Sequence, residues 1–454
     1  MIFHVLTAWL LGGATTWMWL PMVLWGTVGG AALTVWGFVR RRNLGRPVLW
    51  PLLWLLPGLL LALWVLVGSF NPSFTVISYY EQLVYRPTEP IGWLPSSAVP
   101  AETRRELLLL LGIFLSAFNL ALNTERREPI KQLFGVIGLN TMLIAVIGTL
   151  QKLSEAEGIL WFISSPNPQF FGTFIYHNHW GAYALMNVAL LVGLSLWIYE
   201  ERAPRGFTHS PGMLSIVGAI LVLIAIPVSS SRSCTALAAV ILLFSTGHFA
   251  WRLHRRKRLT PQTSVLLLTL LAAVGFASFI VAERVIMQRL RETHKQFVTD
   301  PTNKRYLKGR ELVYADTLRM IGDKPVAGWG LQSFYLVHKR YSTVPRGDDG
   351  RMQVYRNTHS DWLQTAAETG LVGLGLSLVT FLTPLVWVRR RLNSDQVAVF
   401  TRVGCVLVLG LALVEFPLQN PAVILLFASL LYGGCRLALL SPVHHRHRRQ
   451  FHAS

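Results

Sequence analysis

Cysteine is almost missing from this chain. Cys234, Cys405 and Cys435 are the only three, an odd number, and each sits in an apolar stretch. That excludes a disulfide framework and a thiolate metal site, and redox chemistry with them. Charge is scarce too: 14% of residues are charged against 52% hydrophobic, with a mean hydropathy of +0.44. A soluble domain of this length could not hide so much apolar surface, so the chain reads as a polytopic membrane protein. The N-terminus has no basic segment ahead of its apolar run and no small-residue cleavage site, and the run continues to Val39. It therefore reads as a retained membrane anchor and not as a signal peptide.

What is there is a series of apolar runs of bilayer length. They lie at residues 2–17, 20–39, 48–68, 106–122, 131–151, 179–199, 212–229, 234–251, 263–282, 363–388, 397–415 and 421–440, predicting an all-α fold of about twelve transmembrane helices. Only Pro21 and the Gly12-Gly13 and Thr15-Thr16 pairs suggest a break between the first two. The organisation is then residues 1–282 as N-terminal transmembrane helices, 283–362 as one large loop, 363–440 as C-terminal helices and 441–454 as a basic tail.

Orientation follows from short basic loops. Arg40-Arg41-Arg42, Arg126-Arg127, Arg202 with Arg205, Arg252 to Arg258, Arg389-Arg390-Arg391 and the tail from His444 to Arg449 fall on one side if the helices alternate. By the positive-inside rule that side is the cytoplasm, with both termini inside. Loops 69–105, 152–178, 228–233 and 283–361 are then outside. The last is also basic, which a long translocated loop tolerates. One reading of its charge is attraction to anionic headgroups, with Ile286, Leu290 and Phe297 on one face of a surface helix and Arg289, Arg291 and Lys295 elsewhere. A membrane protein that collects its ionisable groups in one water-facing loop also places its site there.

Arg232 stands in Val228-Ser229-Ser230-Ser231-Arg232-Ser233-Cys234, between two apolar helices and with no acid nearby in sequence. An arginine at helix-centre depth costs about 2.5–3.5 kcal/mol on insertion scales and less at an interface. Two readings stand: a snorkelling side chain, or a receptor for phosphate oxygens built from hydroxyls, helix-start amides and a guanidinium fork. Together these residues predict an anionic ligand at the outer membrane face.

At this point the chain resembles a known family. Gly172-Thr173-Phe174-Ile175-Tyr176-His177-Asn178-His179, the Ser-Ser-Ser-Arg232-Ser turn, Gly309-Arg310 with Asp323-Lys324-Pro325-Val326-Ala327-Gly328-Trp329-Gly330-Leu331-Gln332-Ser333-Phe334, His359-Ser360-Asp361-Trp362-Leu363-Gln364-Thr365-Ala366-Ala367-Glu368-Thr369-Gly370, and Glu415-Phe416-Pro417-Leu418-Gln419-Asn420-Pro421-Ala422 are similar to stretches of the O-antigen ligase and O-antigen polymerase superfamily, bacterial membrane glycosyltransferases of the WaaL and Wzy type. The resemblance covers roughly residues 170–425. It implies a GT-C-like helical enzyme of the bacterial inner membrane, its active site facing the periplasm. Its implied partners are an undecaprenyl-diphosphate-linked glycan donor, a glycan, lipid A core or protein acceptor, and membrane lipids, with no nucleic acid. It also implies a functional trio, which falls here on Arg232, Arg310 and His359. Where the family pattern reads Asn-Arg-Asn-His this chain has Tyr176-His177-Asn178-His179, so no arginine role is carried over there.

The chemistry suits these residue types. Displacing a sugar from a lipid diphosphate builds negative charge on the leaving phosphate, and guanidinium groups answer it with charge-assisted hydrogen bonds. Lys308 adds charge beside Gly309-Arg310, and Arg310 in the first turn of a helix would gain that helix's free amides. His359 is the candidate general base; the alternative is that it caps the next helix or orients substrate. Asp361 caps that helix or holds the histidine tautomer. Ser231 and His179 join the substrate-binding set, and Trp329, Trp362 and Tyr335 offer faces for sugar rings, or are aromatics of the membrane boundary. The outer loops carry no DxD-type pair. Asp348-Asp349 reads as a solvated turn, so the expectation is metal-independent transfer with no cofactor.

Three functions follow: a ligase, a polymerase or protein O-oligosaccharyltransferase differing in acceptor, and a lipid-linked glycan transporter. A transporter should show repeated halves and midplane charges; here there is no repeat of the halves and midplane charges are few.

Overall fold

The computed structural model describes residues 1–13, 19–79, 82–202, 209–255, 272, 305–344, 353–391 and 393–442. Within them, nine helices are long and apolar enough to cross a membrane. In chain order the helices are α1 (Ile2–Trp9), α2 (Trp19–Asn43), α3 (Leu49–Ser69), α4 (Pro100–Asn123), α5 (Arg127–Leu153), α6 (His177–Arg202), α7 (Pro211–Val228), α8 (Arg232–Arg255), α9 (Arg305–Asp323), α10 (Phe334–Tyr341), α11 (Asp361–Trp387), α12 (Gln396–Leu411) and α13 (Pro421–Leu440). α6 and α13 are the most enclosed spans, while α8 and α11 expose most of their length. α6 packs on α7, α8 and α12, and α13 packs on α4 and α12.

Several expectations change. The first expected span, 2–17, appears as the eight-residue α1 followed by a turn at Leu11–Gly13, with Gly12 and Gly13 at positive φ. At 1.5 Å per residue α1 reaches about 12 Å, against a hydrocarbon core of about 30 Å, too short to cross. It packs instead on the middle of α13 and α5: His4 Nε2 lies 2.7 Å from Ser429 Oγ, and Trp9 Nε1 donates to Asn140 Oδ1. The expected span at 397–415 is cut back to the 16-residue α12, because the chain turns out after Leu411 and carries Glu415 with it. The expected run at 263–282 lies outside the described residues except Ala272. Arg205, Arg256 to Arg258, the surface helix with Arg289, Arg291 and Lys295, Asp348-Asp349 and the basic tail beyond residue 442 also lie outside them.

The fold is not helical throughout. The loop after α3 folds into an antiparallel hairpin of β1 (Phe74–Tyr79) and β2 (Gln82–Pro87), with Phe74 opposite Pro87 and Val76 opposite Tyr85. The β-branched and aromatic residues of this segment favour a pleated pair.

Charge sorts the two ends of the bundle. At one end Arg40 and Arg46 meet Glu125, Arg127 and Lys131 meet Asp395, Arg127 also meets Glu201, and Arg252 meets Glu200 at 2.7 Å. Arg391 and Arg436 donate to the carbonyls of Leu439 and Thr124. The described basic loops therefore share one end, as alternation requires. Asp395 also caps α12, accepting from Val397 N and Ala398 N.

At the opposite end a backbone seam joins the large loop to α11. α11 kinks at Gly370 (φ 69°, ψ −179°), a conformation essentially restricted to glycine. Into the kink docks the chain from Lys324 to Gly330. Trp329 N donates to Ala367 O, Gly330 N to Glu368 O at 2.7 Å, and Leu371 N to Pro325 O at 2.8 Å. Glu368 then accepts from Gln332 N and Phe334 N, fixing the start of α10. Two motifs far apart in sequence thus form one joint. A Cβ on Gly370 would fall 2.1 Å from Val326 O. Gly370→Ala should therefore destabilise the protein by more than the roughly 1–3 kcal/mol of backbone strain alone. Gly375→Ala, on the same helix with open space around it, should be neutral or slightly stabilising. Thermal unfolding in detergent compares the two, and equal midpoints would refute the seam.

Candidate active site

The site is assembled at the seam end by the starts of α6, α8 and α11, the second turn of α9 and the turn after α12. α6 begins at His177 and α8 at Arg232, and their approach depends on a small residue. A Cβ at Gly181 would fall 2.5 Å from Cys234 Sγ, so only glycine lets the start of α8 lie against α6. The turn between α7 and α8 reverses through Ser230 in the left-handed region (φ 68°). This presents Ser231, which is buried and donates from Oγ to Asn178 Oδ1.

Glu415 is the centre of the arrangement. Its carboxylate is 5% exposed. Arg310 Nη2 lies 3.2 Å from Oε1, and His359 Nδ1 lies 3.8 Å from Oε2. The Asn178 amide faces the same group. Burial pushes the Glu415 pKa up. The facing imidazole, the Arg310 charge and the Asn178 amide outweigh it and hold the group below its ordinary value, as an anion.

His359 is held from several sides. Its backbone is left-handed (φ 59°), a costly conformation for a non-glycine residue that surrounding contacts must impose. Tyr314 of α9 donates from its hydroxyl to His359 O at 3.0 Å. Burial raises the Tyr314 pKa, against the lowering influence of Arg310, so the phenol stays a donor. The imidazole stands edge-on to Phe416, with centroids 5.1 Å apart at 78°. Phe416 stacks on Tyr176 at 5.3 Å and takes His179 edge-on at 5.2 Å. The start of α11 is pinned to the turn after α12, because Asp361 N donates to Ala412 O at 2.9 Å.

Arg310, His359, Ser231 and His179 thus converge. Arg232 follows Ser231 as the first residue of α8, and its side chain is exposed. The contacts Ser231–Asn178–Glu415 connect its turn to Arg310 and His359. Lys308 lies on the backbone of α9, and its side chain falls outside the described residues.

Four expectations are corrected. α9 runs from Arg305, so Arg310 is past the first turn and gains nothing from free helix-start amides. Asp361 does not cap α11, and neither does His359. Ser360 does, accepting from Leu363 N. The Asp361 carboxylate turns instead to Leu418 N at 2.8 Å and Gln419 Nε2, and fixes the turn before α13. Trp329 is only 9% exposed, its Nε1 donates to Met320 O, and Lys324 Nζ lies 4.3 Å from its ring centroid. It belongs to the loop's own core with Phe74, Val313 and Phe334, and presents no face to a sugar. Trp362, by contrast, lines a cavity.

That cavity, about 190 Å³, lies among α3, α4, α11 and α13, with Leu61, Leu110, Phe114, Phe381, Trp362 and Tyr432 among its walls. Asp361, two residues from His359, borders it. Among the described residues no group of three or more His, Cys, Asp or Glu side chains is placed to hold a metal ion. His248 is at the basic end, 3.1 Å from Gln396 Oε1, far from this chemistry.

Sequence reasoning missed Glu415 and Asn178 as parts of the site. Both stand in stretches that resemble the family, Gly172 to His179 and Glu415 to Ala422, but nothing in those stretches gives either residue a role.

Compared with known families, residues 217–378 match the model of the O-antigen ligase family. The matched segment takes in Arg232, Arg310 and His359 and stops before Glu415. No curated protein matches the chain. The match bears out the superfamily resemblance for the motifs inside it, those at Arg232, Arg310 and His359.

Proposed function

We propose that the protein transfers a glycan from an undecaprenyl diphosphate donor to an acceptor hydroxyl, with Arg232 and Arg310 on the diphosphate and His359 as general base. The acceptor oxygen attacks C1 of the donor sugar, the bond from C1 to the phosphate oxygen breaks, and the diphosphate leaves with the electron pair. The acceptor proton goes to His359. The observation that carries this reading is the meeting of Arg310 and His359, from separate segments, on the two oxygens of Glu415. A guanidinium has five donors, and the Nη2 contact with Glu415 uses one of them. The neighbouring apolar cavity gives a polyprenyl chain a place beside the reacting groups.

Diphosphate is already a reasonable leaving group, so the arginines supply the charge stabilisation and no metal is required by the chemistry. The test is transfer by the purified protein in detergent, with a defined lipid-diphosphate oligosaccharide and lipid A core, glycan and protein acceptors. Expected are a glycosylated product with one acceptor class, equimolar lipid diphosphate, and full activity in EDTA. Movement of the lipid-linked glycan across vesicles with no transfer to any acceptor would overturn the reading. Loss in EDTA restored by a divalent ion would overturn its metal-free part.

A further inference from the structure

We propose that Glu415 is the positioning residue of this site. It takes His359 by Nδ1, so that Nε2 is the nitrogen offered to the acceptor, and it holds Arg310 on its other oxygen. The inference rests on the transfer reading above, and it concerns a residue outside the segment that matches the family.

The two ring nitrogens of a histidine are inequivalent, and whichever one is tied to an anion carries the proton. At 3.8 Å the His359 Nδ1 contact is longer than a hydrogen bond. Such contacts tighten when substrate fills a site. Both Nδ1 and Glu415 Oε2 are buried without a hydrogen-bond partner among the described residues, so each has the other as its nearest complement. A left-handed backbone at His359, the Tyr314 hydroxyl on its carbonyl and Phe416 on its ring hold the imidazole against this carboxylate.

Oε1 does different work. Paired with Arg310 Nη2, it keeps the guanidinium beside the imidazole and not in solvent. When the donor diphosphate draws on Arg310, the carboxylate's remaining attraction is to the imidazole, which is gaining a proton as the acceptor attacks. One anion thus serves both halves of the reaction in sequence. Among the described residues, ionisable groups that face Glu415 include Arg310 and Tyr314 from α9, His359 and Asp361 from the start of α11, His179 from α6 and Cys234 from α8. His359 and Arg310 are in ion-pair reach.

The experiment compares Glu415→Gln, Glu415→Asp and His359→Ala in the detergent transfer assay, with kcat and donor KM measured across pH. Thermal unfolding is recorded for each. Glu415→Gln keeps the volume and removes the charge. It should lower kcat about 10- to 100-fold while donor KM changes less, because the anion that holds the imidazole is gone. Glu415→Asp keeps the charge and should restore part of the rate. If Glu415→Gln does not fold, Glu415→Asp carries the test, since its kcat must fall while donor KM stays near the parent value.

A wild-type kcat in Glu415→Gln would overturn the proposal. So would a change confined to donor KM, which would mean that the residue acts through Arg310 alone. Full activity in His359→Ala would leave Glu415 no base to position and would overturn the proposal while transfer itself stands. No transfer by the parent protein to any acceptor would sink the transfer reading. Loss in His359→Ala with a wild-type kcat in Glu415→Gln would sink only the role of Glu415.

Discussion

Replacing Arg310 with alanine should lower transfer about 10²–10³-fold, the usual cost of removing one donor aimed at charge that develops in the transition state. Arg310 is 31% exposed on the side chain and shares its carboxylate partner with His359. Its loss therefore removes a diphosphate ligand and leaves a mostly buried anion with one fewer cation. Arg310→Lys separates these effects. A lysine can neutralise Glu415, but as a point charge it cannot reproduce a planar fork on phosphate oxygens. The expectation is an intact unfolding midpoint in Arg310→Lys with transfer still reduced sharply and donor KM raised. Near-wild-type transfer by the lysine variant would remove Arg310 from the diphosphate.

The second large effect is at His359. Positioned general bases contribute about 10²–10⁴-fold, so His359→Ala should lose turnover in that range while donor binding, measured with the lipid diphosphate alone, is kept. Unchanged turnover would show that the proton leaves by another route. The outcome bears on the fold as well. If a left-handed backbone at residue 359 is imposed by its surroundings, His359→Asn, which tolerates that region, should unfold no earlier than the parent while being as inactive as His359→Ala.

Much of this was legible in the chain because lipid is an exacting solvent. Runs at 48–68, 212–229 and 363–388 differ from α3, α7 and α11 by a residue or two at each end, and the run at 421–440 coincides with α13, since an apolar segment of bilayer length has little freedom over where it stops. The gathering of basic loops at one end was legible for the same reason. Arg310, His359 and Glu415 all stand in motifs, but the motifs do not say that the third joins the first two. Glu415 is distant in sequence from both and sits on a turn whose position depends on α12 ending at Leu411.

Local signals were ambiguous where two neighbours could do one job. Ser360 and Asp361 are both good caps, and the packing of the turn before α13 assigned the first to α11 and the second to Leu418 and Gln419. Trp329 misled because an aromatic near a membrane boundary looks alike whether it faces a sugar or its own loop's core.

The joint between residues 324–330 and the bend of α11 is written almost wholly in peptide groups. Swapping side chains at Val326 or Ala327 leaves every one of its bonds available, whereas adding or deleting one residue there shifts the whole row out of step. Length, more than identity, is what natural variation must preserve along this stretch.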